Sequence, residues 1–159
     1  MKTLELTLLY LLKEDKVLLA MKKRGFGIGK WNGVGGKIDK DESVEEALIR
    51  ECNEEIGVRI TNFQKVGFLL FEEIHLDERK KMNMHIYTAS EWDGDIAESE
   101  EMKPQWFKLN EIPYESMWAA DRDWLHLILE GKKIRGEFTL DDNDEVVNKR
   151  ITTVEVVEP

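Results

Sequence analysis

Glu51, Glu54 and Glu55 recur at spacings of three and four residues, with Arg50 immediately before them. Such spacings bring side chains to neighbouring positions on one side of a helix. With Glu51 as origin and ~100° per residue, Glu55 falls at about 40° and Glu54 at about −60°. Val44, Ala47, Leu48, Cys52 and Ile56 form the apolar stripe of the same segment, from about −40° to about 140°. Glu55 therefore lies inside the stripe that should be buried and Glu54 at its edge, while Glu46, Arg50 and Asn53 face outward. A solvated acidic surface would sit opposite the stripe. Carboxylates gathered at a buried face repel one another and are costly to desolvate, unless a cation neutralises them. Hard oxygen donors in this number suit Mg²⁺ or Mn²⁺. Zinc is not expected, because no Cys/His cluster accompanies them. Arg50 stands one turn before Glu54 and can pair with it.

The helix that must present these groups is well marked. Ser43 can cap its N-terminus, Glu46 completes a capping box, and Gly57 suits a left-handed C-terminal position, so a helix is expected from Ser43 to Ile56. Leu4 to Leu12 and Val17 to Met21 read as strands around the turn Lys13-Glu14-Asp15-Lys16. Gly25, Gly27 and Gly29 break the next stretch into a loop, behind the basic run Lys22-Lys23-Arg24 and ahead of Lys30. Val66 to Phe71 and Met84 to Ala89 read as strands paired across a polar loop from Asp77 to Lys81, and Gln105 to Leu109 as another. A second helix is expected from Asp121 to Glu130, ending at Gly131. Glu137 to Leu140 and Ile151 to Val157 suggest a terminal hairpin through Asp141-Asp142-Asn143-Asp144. Interspersed strands and helices imply a sheet covered by helices on both faces.

The 159 residues fit one domain, without repeat or linker. The net charge of −10 argues against a general nucleic-acid binder, though a local basic patch or bound cations can still receive a small anion. No apolar run approaches a membrane span, and the N-terminus lacks the apolar core of a secretory signal. One cysteine, Cys52, cannot form an internal disulfide, which points to a cytoplasmic location.

Gly36, Glu42, Arg50, Glu51, Glu54, Glu55 and Gly57 match every fixed position of the Nudix box, G-x5-E-x7-R-E-U-x-E-E-x-G-U, with Cys52 and Val58 at its apolar positions. The chain thus resembles the Nudix hydrolases. The resemblance implies an α+β fold, an α/β/α sandwich around a mixed central sheet. It implies hydrolysis of a nucleoside diphosphate linked to another group. It also implies that Glu51, Glu54, Glu55 and the carbonyl of Gly35 hold the metal, with Glu101 as a further ligand or base and Glu100 as its near alternative. Metal ions would neutralise phosphate oxygens and activate water for in-line attack. Glu54 or Glu55 would accept the proton, and Lys22 would meet phosphate oxygens as a point charge.

Outside the box, Met21-Lys22-Lys23-Arg24-Gly25-Phe26-Gly27, Trp31-Asn32-Gly33-Val34-Gly35-Gly36-Lys37, Lys65-Val66-Gly67, Phe71-Glu72, Met102-Lys103-Pro104, Trp106-Phe107 and Met117-Trp118 resemble the oxidised purine nucleoside triphosphatase branch of the family. That branch converts nucleotides such as 8-oxo-dGTP to monophosphate and pyrophosphate. Carried over by position, Asn32 would hydrogen-bond the purine edge and Trp118 would stack on its face. Phe71 and Met82 would be apolar walls, Phe26 and Thr7 would line the site, and Asp121 would meet the Watson–Crick edge. Asp121 has a competing reading as the N-cap of the second helix, and Trp106 and Phe107 read as core. One departure stands out: the branch has two adjacent aspartates after this tryptophan, whereas here Ala120 replaces the first. Paired carboxylates can share a proton and so donate and accept together. A lone Asp121 should change affinity or breadth, since a hydrogen bond to a charged group contributes on the order of 1.5–3 kcal/mol.

Two other readings compete. The same chemistry could act on methylated or unmodified purine nucleotides; capped RNA is disfavoured by the acidic balance. A non-catalytic nucleotide-binding module should have lost box carboxylates, and none is lost. A monomer acting on free nucleotide, with neither nucleic acid nor membrane as partner, is the plain expectation.

Overall fold

The run Leu8-Leu9-Tyr10-Leu11 is buried on both of its alternating faces, as in a central strand packed on two sides. The computed structural model, which describes residues 2–74 and 79–157, places this run in β1 (Lys2–Lys13). There follow β2 (Lys16–Lys22), the two-residue β3 (Trp31–Asn32), α1 (Val44–Ile56), β4 (Arg59–Ile74), β5 (Arg79–Asp93), β6 (Met102–Lys108), α2 (Asp121–Leu129), β7 (Lys133–Leu140) and β8 (Val146–Val154). A 3₁₀ turn, Tyr114–Ser116, precedes α2.

The sheet is mixed, as the resemblance implies. β1 runs parallel to β5, β5 antiparallel to β4, β4 parallel to β7, and β7 antiparallel to β8. β2 leaves β1 through a hairpin and pairs with β3 and β6. One face buries Leu9, Leu11, Leu18 and Val34 against Leu48, Cys52 and Ile56 of α1. The other buries Leu8, Tyr10, Leu19, Leu69 and Ile86 against Trp124, Leu125 and Ile128 of α2. Helices thus cover both faces, and the fold is α+β.

β4 and β5 extend well past the apolar stretches that suggested them. Their antiparallel ladder runs from Arg59↔Asp93 to Ile74↔Arg79, setting Glu72 opposite Lys81 and Glu73 opposite Lys80. Opposite charges across a ladder support strand in sequence that looks like loop. Arg79, Lys80 and Lys81 are accordingly strand, and 77–78, the rest of the expected loop, lies outside the described residues. β8 starts at Val146 rather than Ile151, because it is a largely exposed edge strand with no apolar alternation to mark it. α2 ends at Leu129 and is followed by Gly131 at φ 90°. The N-cap position of α2 is Ala120, so the reading of Asp121 as N-cap fails.

Candidate active site

α1 begins with the anticipated capping box, Ser43 Oγ accepting from Glu46 N–H and Glu46 accepting from Ser43 N–H, and ends at Gly57 with φ 76°. This fixes the helix phase and buries Glu55 (4% exposed) beside Ala47, Leu48, Cys52 and Ile56. Oε2 of Glu55 has no hydrogen-bond partner. Burial raises the Glu55 pKa well above the usual carboxylate range, and the Glu51 carboxyl beside it adds to the rise. The Gly35 backbone and Lys22 act the other way. Glu51 lies against the loop before α1, where a Cβ on Gly36 would stand 2.8 Å from its carboxyl carbon.

Arg50 holds the outer edge of this group. Its Nε donates to Glu42 Oε2 at 2.7 Å, Nη1 to Glu51 Oε1 at 3.0 Å and to Glu54 Oε2 at 3.3 Å, and Nη2 to the Lys37 carbonyl at 3.1 Å. The bond from Arg50 holds the Glu42 pKa below its ordinary value, and Arg50 is itself raised chiefly by that bond. Glu54 is more exposed than Glu51. Glu101 stands immediately before β6, its carboxyl 3.4 Å from Arg24 and its carbonyl accepting from Lys23 N–H; Glu100 also pairs with Arg24. Among the described residues, no three acidic, histidine or cysteine side chains are already drawn together as an ion would draw them. The donors nevertheless suit a hard divalent cation: an unsatisfied buried carboxylate oxygen, a second carboxyl beside it, and backbone that only glycine lets approach.

Thr7, Lys22, Phe26, Asn32, Phe71, Met82, Trp118 and Asp121 all line one cavity of about 270 Å³, together with Gly35 and Gly36 from the acidic end. Their elements explain the convergence. Thr7 comes from β1, Met82 from β5 and Phe71 from β4, adjacent strands whose register sets Phe71 opposite Met82. Asn32 lies on β3, and its Oδ1 accepts from Gly33 N–H at 2.8 Å, which leaves its NH₂ group to donate elsewhere. Gly25, Gly27 and Gly29, at φ 80°, 84° and 83°, fold the loop after β2 back on itself. A Cβ on Gly27 would come within 3.1 Å of the Trp118 indole. Phe26 from this loop stacks on Trp118 at 5.2 Å.

Several lining residues had no such expectation attached. Lys30 places its ammonium 4.9 Å from the Trp118 ring centroid; in sequence it reads equally as a solvated turn, and only the glycine-folded loop brings it to the indole. Met84 and Met102 join Met82 in the wall, and Glu73 and Lys80 line the cavity from the β4–β5 pair. Trp106 and Phe107 pack on the two cores, as expected.

Asp121 is 5% exposed, and its Oδ2 accepts from Trp118 N–H at 3.2 Å. Burial pushes its pKa up to about 7, opposed by the Trp118 N–H, Lys30 and Trp124. The native state thus holds a proton that the unfolded chain has lost above its ordinary value of 3.8. By linkage, stability falls as pH rises from about 4 to about 7 and is flat above that interval. Asp121→Asn, which keeps an acceptor for Trp118, should raise the melting temperature above pH 7 and leave it unchanged near pH 4. The gain is bounded by about 4 kcal/mol, at 1.36 kcal/mol per pH unit. Calorimetry of both proteins across that range checks this, and equal curves at high pH would refute it.

Comparison with known proteins matches the NUDIX domain model to residues 4–128. The chain is 43% identical over 150 residues to the oxidized purine nucleoside triphosphate hydrolase of Danio rerio, covering 94% of this chain and 95% of that one. It is 42% identical over 149 residues to the protein of the same name from Mus musculus, covering 94% of each. Among solved structures, the MutT protein of Bacillus halodurans superposes with a TM-score of 0.81 at 26% identity, over 93% of this chain and 97% of that one.

Proposed function

The chain belongs to the NUDIX family, and from that premise we propose that it is a nucleotide-pool sanitising hydrolase converting oxidised purine nucleoside triphosphates, such as 8-oxo-dGTP, to monophosphate and pyrophosphate. One observation carries the reading: a single cavity reaches from Gly35 and Gly36, which adjoin the Glu51 and Glu55 carboxyls, to Asn32, Trp118 and Asp121, which suit a purine.

Nudix hydrolases use a divalent metal. Here Glu51, Glu54 and Glu55 would hold it, with the Gly35 carbonyl and Glu101, and Mg²⁺ is the natural ion for such donors, with Mn²⁺ an alternative. When bound, the metal supplies charge neutralisation for the phosphates and an acidified water. The chain's own groups do the rest. Arg50 fixes the rotamers of Glu51 and Glu54 through its hydrogen bonds. Glu54 or Glu55 takes the proton of the attacking water. Lys22 neutralises phosphate oxygens. Phe26, Phe71, Met82 and Trp118 enclose the base, while Thr7 borders it near Gly36. Asn32 donates to a purine acceptor, and Asp121 meets the Watson–Crick edge.

With a net charge of −10, the protein should act on free nucleotide and not on nucleic acid, as a one-domain monomer in the cytosol. Among the described residues no helix is long and apolar enough to cross a membrane.

Ala120 favours a second reading with the same chemistry. It is buried in the cavity wall, where it offers no hydrogen bond, so a methylated or unmodified purine could be preferred. Initial rates with Mg²⁺ across 8-oxo-dGTP, 2-oxo-dATP, methylated purine triphosphates and normal nucleotides decide this. Preference for 8-oxo-dGTP over dGTP with pyrophosphate released is the expected outcome. A flat profile, or one led by a methylated purine, would transfer the assignment to the second reading.

A further inference from the structure

Behind the base end of the cavity lie two buried hydrogen-bond donors with nothing to bond. Tyr10 is 0% exposed and Trp124 1% exposed, and neither the Tyr10 hydroxyl nor the Trp124 indole N–H has a partner. The two rings pack edge to face at 6.0 Å, joining the centre of β1 to α2. Gly33 holds the phenol from the cavity side: a Cβ there would stand 3.0 Å from the Tyr10 ring. Both face the same neighbour: the Asp121 charge raises the Tyr10 pKa, and the Trp124 N–H lies close enough to favour the ionised Asp121 without closing a hydrogen bond. An orphaned buried hydroxyl costs stability that a Phe in its place would not, so its presence calls for an explanation.

The chemistry of a lone carboxyl supplies one. An ionised carboxylate only accepts, and so fits a 2-amino-6-oxopurine edge, which presents two adjacent N–H donors. A protonated carboxyl both donates and accepts, and so fits a 6-aminopurine edge, which pairs a ring-nitrogen acceptor with an N–H donor. With Ala120 beside it, Asp121 has no second carboxyl with which to divide these roles. The groups that face it are Lys30 from the loop after β2, Tyr114 from the 3₁₀ turn, Tyr10 from β1 and Trp124 from its own helix, with Asp144 from the β7–β8 turn on the same cavity. Of these, Tyr10 and Trp124 hold unspent hydrogen bonds.

We propose that the Tyr10 hydroxyl donates to the Asp121 carboxylate when a purine fills the cavity, keeping Asp121 an acceptor. Tyr10 is thereby a specificity-determining positioning residue that favours the 2-amino-6-oxopurine edge over the 6-aminopurine edge. This rests on the assignment of the cavity as the base pocket. Asp121 lines the cavity and neither Tyr10 nor Trp124 does, so bonds from them leave its cavity side to the base. Removing the hydroxyl leaves the ring packing on Trp124 intact and takes one stabilising bond from the ionised form, so Asp121 protonates at higher pH.

The test compares kcat/KM for 8-oxo-dGTP and 8-oxo-dATP, which share the C8 oxidation and differ at the Watson–Crick edge, from about pH 5.5 to 9. The ratio between the two substrates cancels any general loss of activity. In the wild type it should rise with pH and level off. In Tyr10→Phe the rise should move up by about one pH unit, lowering the preference at neutral pH roughly fivefold to tenfold. In Asp121→Asn the ratio should lose its pH dependence, and adding Tyr10→Phe to it should change nothing further. Tyr10→Leu gives the same reading should the Phe variant fold poorly. Superimposable pH profiles for wild type and Tyr10→Phe, or an undiminished Tyr10→Phe effect in the Asp121→Asn background, would overturn the proposal. Failure of the wild type to prefer either oxidised substrate over dGTP and dATP would instead overturn the pocket assignment. In that case the same edge ratio, read as Kd for the metal-free monophosphates by tryptophan fluorescence, still tests Tyr10.

Discussion

Glu55→Gln should lose roughly 10²–10⁴-fold in kcat/KM while melting no lower, and in EDTA higher, than the wild type. The two effects have one source. Glu55 is buried beside the Glu51 carboxyl, with one oxygen lacking any hydrogen-bond partner. Without a cation, its raised pKa means that the folded protein bears the cost of a carboxylate at a buried place, or else of a proton held against the solvent. Glutamine has nearly the same shape and no charge, so it relieves that cost. It also removes the charge that a divalent ion needs. Mg²⁺ should raise the wild-type melting temperature, since a ligand that binds only the native state stabilises it, and should leave Glu55→Gln nearly unmoved. Thermal melts with and without Mg²⁺, beside initial rates, check both halves. Retained turnover with a retained Mg²⁺ shift would remove Glu55 from the metal site.

Gly35→Ala and Gly36→Ala should fail in different ways although the residues are neighbours. A Cβ on Gly35 would stand 2.0 Å from the Thr7 carbonyl oxygen, a backbone atom of the central strand. Neither side can yield without disturbing the Leu9–Val34 bridge beside it, so Gly35→Ala should destabilise the fold by about 3 kcal/mol or more. The three atoms nearest a Cβ on Gly36 all belong to the end of the Glu51 side chain, which can turn away. Gly36→Ala should therefore fold normally and lose roughly 10²-fold or more in kcat/KM, the scale of a displaced catalytic group. Urea melts and rates on both variants separate the two. An unstable Gly36→Ala or a stable Gly35→Ala would contradict the close approaches that motivate the pair.

α1 was legible in sequence because three independent signals agreed on it: a capping box, an apolar stripe with carboxylates inside it, and a glycine at the end. Each depends only on residues within a few turns. Extents of β4, β5 and β8 were not legible, because cross-strand charge pairs such as Glu72 with Lys81 belong to ladders that join distant segments. Seven residues were assigned to the base through resemblance, one by one, and all seven line one cavity together with Lys22. What resemblance leaves out is peculiar to this chain. Tyr10 looks in sequence like any residue of a buried strand, and its unpartnered hydroxyl shows only once α2 is laid across it. Lys30 depends on three left-handed glycines to bring it to the indole. Asp121 illustrates the opposite error: a short acidic residue at a helix entrance suggests a cap, yet its carboxyl accepts the Trp118 N–H from a position already inside the helix.

The sulfur atoms of this protein are distributed unevenly. Cys52 is fully buried on the inner face of α1, and burial pushes its thiol up to about 12, leaving almost no thiolate to react with peroxide. Met82, Met84 and Met102 instead line the cavity proposed for the base, and a thioether is oxidised without first having to ionise. Sulfoxide at any of them would turn an apolar wall polar and weaken the grip on the purine. Conditions that oxidise purines should therefore also age this pocket, and a bound nucleotide that covers these methionines should slow the decay.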